Sequence, residues 1–302
     1  MRNRKINSDS VLSVVNVILL VALTIMLSYP LYFTIIASVS EPIDVVEGNV
    51  KFWPEGFTLD GYINTFKESS IWVGYRNSIV NTFFGTLFSL FLTIPAAYSL
   101  SKKRMRGYKA INTYFVFTMY FGGGLLPYYL LVKDIGLMNK PYTLIILGAL
   151  SVYNIIITRT YFNSSIPESL FEAAEIDGCS EFGKFFRIAL PLAKPIVAVI
   201  SLYYAVGEWN DYFTSLLFIN KKDYYPLQTV LKNILMSNQA RSAALNSTGM
   251  SSEELVYLAR QAYMAEAMKY AVIFIASLPM LIAYPFVQKY FTKGVMVGSV
   301  KG

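Results

Sequence analysis

Residues 163–195 read NSSIPESLFEAAEIDGCSEFGKFFRIALPLAKP, and the way this stretch divides decides the fold. Ser165, Ile166, Pro167 and Glu168 have the form of a capping box with a proline in the first turn, so a helix is expected to start there. Gly178 stands where the residue after a helix C-terminus must turn left-handed. Leu170, Ala173, Ala174 and Asp177 recur every three or four residues as one small-residue face, with Glu168, Glu172 and Glu175 as an acidic face beside it. Ser180 and Glu181 give a second start signal, followed by Phe182, Phe185, Phe186, Ile188 and Pro191. The stretch therefore reads as a short helix, a glycine turn and a second helix, and apolar runs flank it on both sides.

Those runs are membrane-sized. A spanning helix needs about 20 mostly apolar residues, and six stretches qualify: about 11–39, 71–100, 110–131, 142–161, 190–218 and 267–291. The 302-residue chain is 55% hydrophobic and only 15% charged, against about 25% for soluble domains. The expectation is an all-α integral membrane protein with six transmembrane helices in one domain, 11–302, after a short N-terminal segment, 1–10. A signal-peptide core spans about 7–15 residues; the first run is nearly twice that, so it reads as an uncleaved helix. Gly122-Gly123-Gly124 with Pro127 is expected to interrupt the third run, and Pro279 with Pro285 the sixth. Close helix packing is the commoner reason for such small residues, and a hinge or pathway lining is the other.

Charge gives the orientation. Lysine plus arginine exceeds aspartate plus glutamate by a net +7. Lys102, Lys103, Arg104, Arg106 and Lys109 crowd one short loop that has no acid. The loop over 41–68 instead holds Glu41, Asp44, Glu47, Glu55, Asp60 and Glu68 against Lys51 and Lys67. By the positive-inside rule both termini and the 101–109 loop are cytoplasmic, so the basic excess reports topology and not nucleic-acid binding. The 163–189 loop falls on the same side yet is slightly acidic. A helix lying on anionic lipid should be basic, so this one suits a cytoplasmic protein partner better.

Several chemistries are excluded. The chain has no histidine and one cysteine, Cys179, so it has no Ser-His-Asp triad, no HExxH zinc site and no disulfide or CxxC pair. No metal site and no catalytic residue stand out, and Cys179 reads as a buried free thiol. There is no GxxxxGK[ST] phosphate loop, so any ATP must be hydrolysed by another subunit.

Glu172-Ala173-Ala174, three residues, Gly178, nine residues, then Ile188-Ala189-Leu190-Pro191 match every spacing of the signature of permeases in binding-protein-dependent ABC importers. With the Trp209-Asn210 pair and the glycine-punctuated ending, the chain resembles the six-span carbohydrate permease group over nearly its full length, and is similar to the smaller permease subunit of the maltose importer. The stretch Phe121-Gly-Gly-Gly-Leu-Leu-Pro127 and the long 220–266 loop look like the oligosaccharide-uptake subgroup. The resemblance implies the type I importer permease fold in the bacterial cytoplasmic membrane. It implies a second homologous permease, two ATPase subunits that bind ATP and Mg, an extracytoplasmic solute-binding protein and a sugar or oligosaccharide substrate. The chain itself would bind no cofactor and would not be an enzyme. In such importers the loop helix docks in an ATPase cleft and passes its closure to the permease, so Glu172, Ala173, Ala174, Asp177 and Gly178 are the expected coupling residues. The tail over 296–302 either reaches the ATPase pair or frays.

Charges within a span are expensive and often functional. Glu208 and Asp211, with Tyr204, Trp209 and Asn210, offer aromatic faces and hydrogen-bonding groups suited to a sugar path. Interfacial anchoring by the aromatics and a structural contact to the partner permease explain the same residues. The external loops, including a helix expected after Ser251-Ser252-Glu253-Glu254, are the expected binding-protein contacts, and the sequon at Asn246 has no role. An importer of a non-sugar solute and a membrane-embedded transferase are the alternatives.

Overall fold

The computed structural model of the chain describes residues 8–244 and 252–299. Its long elements are helices, and no strand occurs among the described residues. The first part comprises α1 (Ser8–Ser38), α2 (Pro42–Val46), α3 (Asp60–Lys67), α4 (Ser69–Ser101), α5 (Tyr108–Tyr120) and α6 (Leu125–Asp134). Next come α7 (Thr143–Leu147), α8 (Val152–Ser165), α9 (Glu168–Ile176), α10 (Glu181–Lys184), a wide π turn (Phe185–Ala189) and α11 (Leu190–Leu192). The last part holds α12 (Lys194–Asn210), α13 (Phe213–Phe218), a 3-10 turn (Lys222–Tyr224), α14 (Leu227–Ala244) and α15 (Ser252–Ser299). Asn246, Ser251 and residues 300–302 lie outside the described residues, and with them the sequon, the first residue of the expected capping box and the end of the tail.

By length and apolar composition, three helices can cross a membrane: Leu12–Ser38, Ser69–Ser101 and Ala259–Pro285. Two bent pairs could each make one more span, Tyr108–Tyr120 with Leu125–Asp134 at 110° and Glu181–Leu192 with Lys194–Asn210 at 77°. Among the described residues the count is three to five, where the apolar runs alone gave six. The difference lies in the run over 142–161, which is divided into five-residue α7 and fourteen-residue α8. Gly148 ends α7, and Ser151 starts α8 as an N-cap, its side chain accepting from the Asn154 N–H.

The breaks have local causes. Gly124 takes φ +87°, a left-handed value that an L side chain resists. Pro127 sits in the first turn of α6, where its missing N–H would have no helical partner anyway. No neighbour crowds Gly122, and only Pro127 approaches Gly123 and Gly124, so close packing within this chain does not explain the triplet. Pro279 and Pro285, expected to interrupt the last run, lie inside a continuous α15. In apolar surroundings the neighbouring backbone groups have no other partner, and local adjustment of the helix accommodates the ring. The π turn precedes Pro191, whose ring crowds the carbonyl four residues back and widens the helix there.

The chain forms two compact units. The first comprises residues 1–68 and 233–277. Ile36 and Ala37 at the end of α1 are buried with Val45 and Val50, and the rings of Phe33 and Tyr270 meet edge-on at 5.8 Å. A Cβ on Gly61 of α3 would collide with the Ala267 carbonyl, so only glycine lets these two backbones approach.

The second unit comprises residues 69–232 and 278–302, and α4 packs mainly on α12 and α8. Its buried side is a stripe of small residues, Gly74, Ser78, Gly85, Ser89, Thr93 and Ala97, which lets neighbours lie close. Deeper along α4, Ile94 and Tyr98 join Ile155, Phe162, Ile196 and Ile200 in a buried apolar cluster. Both candidate sites belong to this unit.

Candidate functional site

The 163–192 segment folds as helix, turn and helix. Its start differs from the capping-box expectation: Ser165 is the last residue of α8, Ile166 is extended, and Pro167 is the N-cap of α9 without a side-chain cap. Proline supplies the right φ of −59° but no oxygen to accept a bond. The end is as read. Asp177 is the C-cap and Gly178 has φ +73°. The Cys179 N–H donates to the Ala174 carbonyl at 2.8 Å and the Gly178 N–H to that of Glu175 at 3.1 Å, a complete Schellman turn. The Ser180 hydroxyl then accepts from the Gly183 N–H at 3.2 Å and starts the second helix.

The small-residue face is split by this geometry. Glu172, Ala173, Asp177 and Gly178 are exposed together, whereas Ala174 is buried against its own chain. The acidic face is split as well. Glu175 reaches across the turn to Lys184, Nζ to Oε2 3.0 Å, and Glu181 meets the same ammonium at 2.9 Å. Lys184 is only 4% exposed, so its charge is matched inside the loop. The hydrogen bond from Lys184 holds the Glu175 carboxyl below its usual pKa. Cys179 is a half-buried free thiol, where a buried one was expected.

The acidic loop also meets the basic loop of its own chain, which charge counting alone did not reveal. Lys102 places its Nζ 3.4 Å from the Phe171 ring centre on α9 and 4.7 Å from that of Tyr98 on α4. Burial pulls the Lys102 pKa below its usual value, with Glu181 opposing. A partly desolvated cation–π contact of this kind contributes about 1–2 kcal/mol. Lys102, Lys103 and Arg104 face Glu168 and Glu172 across a 650 Å³ cleft. Two outward apolar groups escaped notice in the sequence: Ile176 is 88% exposed and Phe182 79% exposed, while Phe185 is buried.

The second site is a 540 Å³ cavity lined by Tyr204, Glu208, Asn210 and Asp211 from one side and by Gly148, Ser151 and Asn154 from the other. Tyr204 is buried, and its hydroxyl bonds Thr93 on α4 at 2.7 Å and accepts from the Ser151 N–H at 3.1 Å. It ties three segments together. Glu208 is half-buried against Gly85 and Gly148, and a Cβ on Gly148 would strike its carboxyl. Asp211 accepts from the Thr214 N–H at 3.0 Å in the first turn of α13. Trp209 does not line the cavity. It is buried and meets Tyr75 edge-on at 5.8 Å. Asn154, missed in the sequence reading, is a buried polar residue within the fourth membrane-length run, which was its available signal.

Residues 69–297 match the family of binding-protein-dependent transport system inner membrane components, and the chain belongs to that family. It is therefore a multi-pass inner-membrane permease. It is 37% identical over 302 residues to Protein LplC of Bacillus subtilis strain 168, covering 100% of this chain and 98% of that protein. It is 37% identical over 273 residues to the polygalacturonan/rhamnogalacturonan transport system permease protein YtcP of the same organism, covering 90% of this chain and 92% of that one. A chain from the crystal structure of a bacterial ABC transporter involved in import of the acidic polysaccharide alginate superposes with TM-score 0.82 and 32% identity, covering 96% of this chain and 99% of the other.

Proposed function

We propose that the chain is one of two homologous permeases in an ATP-driven ABC importer and, with its partner, forms the path for an oligosaccharide. The comparisons support the substrate class: relatives are named for transport of polygalacturonan/rhamnogalacturonan and of arabinooligosaccharides, and the similar solved structure for import of alginate. The chain carries no ATP chemistry of its own. Two separate ATPase subunits bind ATP and Mg, and an extracytoplasmic binding protein delivers the sugar. The six apolar runs each cross the membrane, some as bent or divided helices, and both termini are cytoplasmic.

The observation that carries the coupling assignment is the loop geometry. Nine-residue α9, closed by the Gly178 turn, presents Glu172, Ala173 and Asp177 outward on a short rigid element. Ala173 allows close approach in an ATPase cleft, Glu172 offers a charge to a basic group there, and Ala174 seats the helix on its own chain. The cavity beside Glu208 is this chain's share of the sugar path. The acidic residues of its lining, Glu208 and Asp211, both present carboxyl groups to sugar hydroxyls. An acidic saccharide would need its cations from the other permease.

The test is Glu172→Lys in the assembled complex. Transport and substrate-stimulated ATP hydrolysis should both fall at normal assembly, and retention of both would sink the coupling role. Asp211→Asn and Asn210→Ala, with assembly checked, test the path, since unchanged transport of a panel of oligosaccharides would leave the cavity without that role.

A further inference from the structure

The loop over residues 40–57 joins α1 to the rest of its unit, and its tip is apolar without being packed. Phe52 is 65% and Trp53 76% exposed. We propose that this tip is a membrane-interface anchor, with Phe52 and Trp53 seated at the boundary between lipid headgroups and acyl chains beside α1. The proposal does not rest on the transport reading.

Length places the tip at that depth. The apolar part of α1, Leu12–Ser38, has 27 residues and none of its most apolar window is buried. At 1.5 Å per residue it is about 40 Å long, which exceeds a hydrocarbon core of about 30 Å. The excess lies at the Ser38 end, where burial begins: Ile36, Ala37 and Ser38 are covered, while Leu31 and Ile35 are open. The hydrocarbon boundary on this side therefore falls near Tyr29 and Tyr32, and tyrosine is a residue that settles at such boundaries.

The loop comes back to the same level and is fastened there. The Tyr29 hydroxyl donates to the Lys51 carbonyl at 3.0 Å, and the Tyr32 hydroxyl donates to the Phe52 carbonyl. The rings of Tyr29 and Phe52 lie 5.9 Å apart. Tyr29 is nine residues before Ser38, so the tip hangs about 13 Å back along the helix. The neck of the loop is closed by two backbone bonds, the Glu41 N–H to the Glu55 carbonyl at 2.9 Å and the Thr58 N–H to the Val39 carbonyl at 3.0 Å. Gly56, at φ +57°, completes the turn where a Cβ would strike Glu41. The fold-back is built in.

Charge selects lipid over a protein partner. The acids stay at the neck and on α2, where Glu41 accepts from the Tyr263 hydroxyl and Asp44 and Glu47 accept from Asn49. From 48 to 54 the chain reads GNVKFWP, with Lys51 as its one charge. A lysine beside Phe and Trp suits a phosphate headgroup over an acyl boundary. The tip lies beside the exposed apolar surface of α1.

The test uses the intact complex in vesicles of phosphatidylcholine brominated on its acyl chains, comparing wild type with Trp53→Phe. The difference emission belongs to Trp53. Loss of most of it in brominated lipid, with little quenching by aqueous iodide, is the expected result. Quenching by iodide and not by lipid would place the tip in water and overturn the proposal. Protection from both quenchers would assign the tip to another subunit, and a shift only on adding the solute-binding protein would assign it to that protein; either also overturns it. Trp53→Phe keeps the ring, so folding is preserved, and wild-type assembly of both forms is verified by size exclusion.

Discussion

At the scale of single residues, Gly178 has the sharpest consequence. Its φ is +73° and nothing lies within 4 Å of the place a Cβ would take, so the cost of Gly178→Ala is torsional alone. That cost is about 1–2 kcal/mol. Hydrogen exchange of the 178–183 amides should quicken accordingly, with coupled ATP hydrolysis reduced and expression unchanged. Glu175 gives a pH prediction. Its carboxyl is held below the ordinary 4.5 by the Lys184 hydrogen bond, so the pair's contribution is complete above that value and is lost as pH falls through the lower folded pKa. Loop protection followed by hydrogen exchange should decline below about pH 4.5 in wild type, and this decline should flatten in Lys184→Met. Gly178 was legible in the sequence because glycine's role in a turn is a property of its own backbone. Lys184, Ile176 and Phe182 were not. Whether a lysine is buried or an isoleucine exposed depends on which way a short helix faces, and that is set by Phe171, Tyr98 and Lys102 some 70 residues apart in the chain.

At the scale of elements, Tyr204 is a fastener between α12, α4 and the break before α8. Tyr204→Phe would leave the Ser151 N–H and the Thr93 hydroxyl without this partner, at about 1–3 kcal/mol. The melting temperature of the purified complex should fall. The triple glycine was readable as a break, because three residues without a Cβ cannot hold a helix. Its 110° bend was not, because glycine permits a direction without choosing it. The division of the fourth run was hidden for the opposite reason. It has no proline, and its break rests on a single N-cap, Ser151, and on Gly148, which gives room to Glu208 from a distant helix. The four cavity residues of α12 and the turn after it fell together because they are close in sequence. Their opposing wall is contributed by that hidden break.

At the scale of the whole molecule, the number of crossings has a direct test. Lys102 touches Phe171, so the 101–109 loop and the 163–184 segment share a side; one further crossing, by the 190–218 run, would put residue 222 on the opposite side. In a Cys179→Ser background, Lys103→Cys should react with an impermeant thiol reagent only in inverted vesicles and Lys222→Cys only in intact cells. Reaction of both from one side would reduce the count and move the external loops. The fold class and the family were legible because apolar length and one spaced signature are written along the chain. The arrangement of the bent spans was not, because bends arise from contacts between runs and leave only scattered glycines behind.

The 77° bend between Glu181–Leu192 and Lys194–Asn210 has a mechanical meaning. A displacement along the axis of the first arm projects only weakly along the second and falls almost wholly across it. The two arms form a bell crank with its pivot at Ala193, fully buried and so held by its surroundings. A small stroke at the 172–184 end would arrive at Tyr204 and Glu208 as sideways travel, the direction that opens or closes a gap between neighbouring helices.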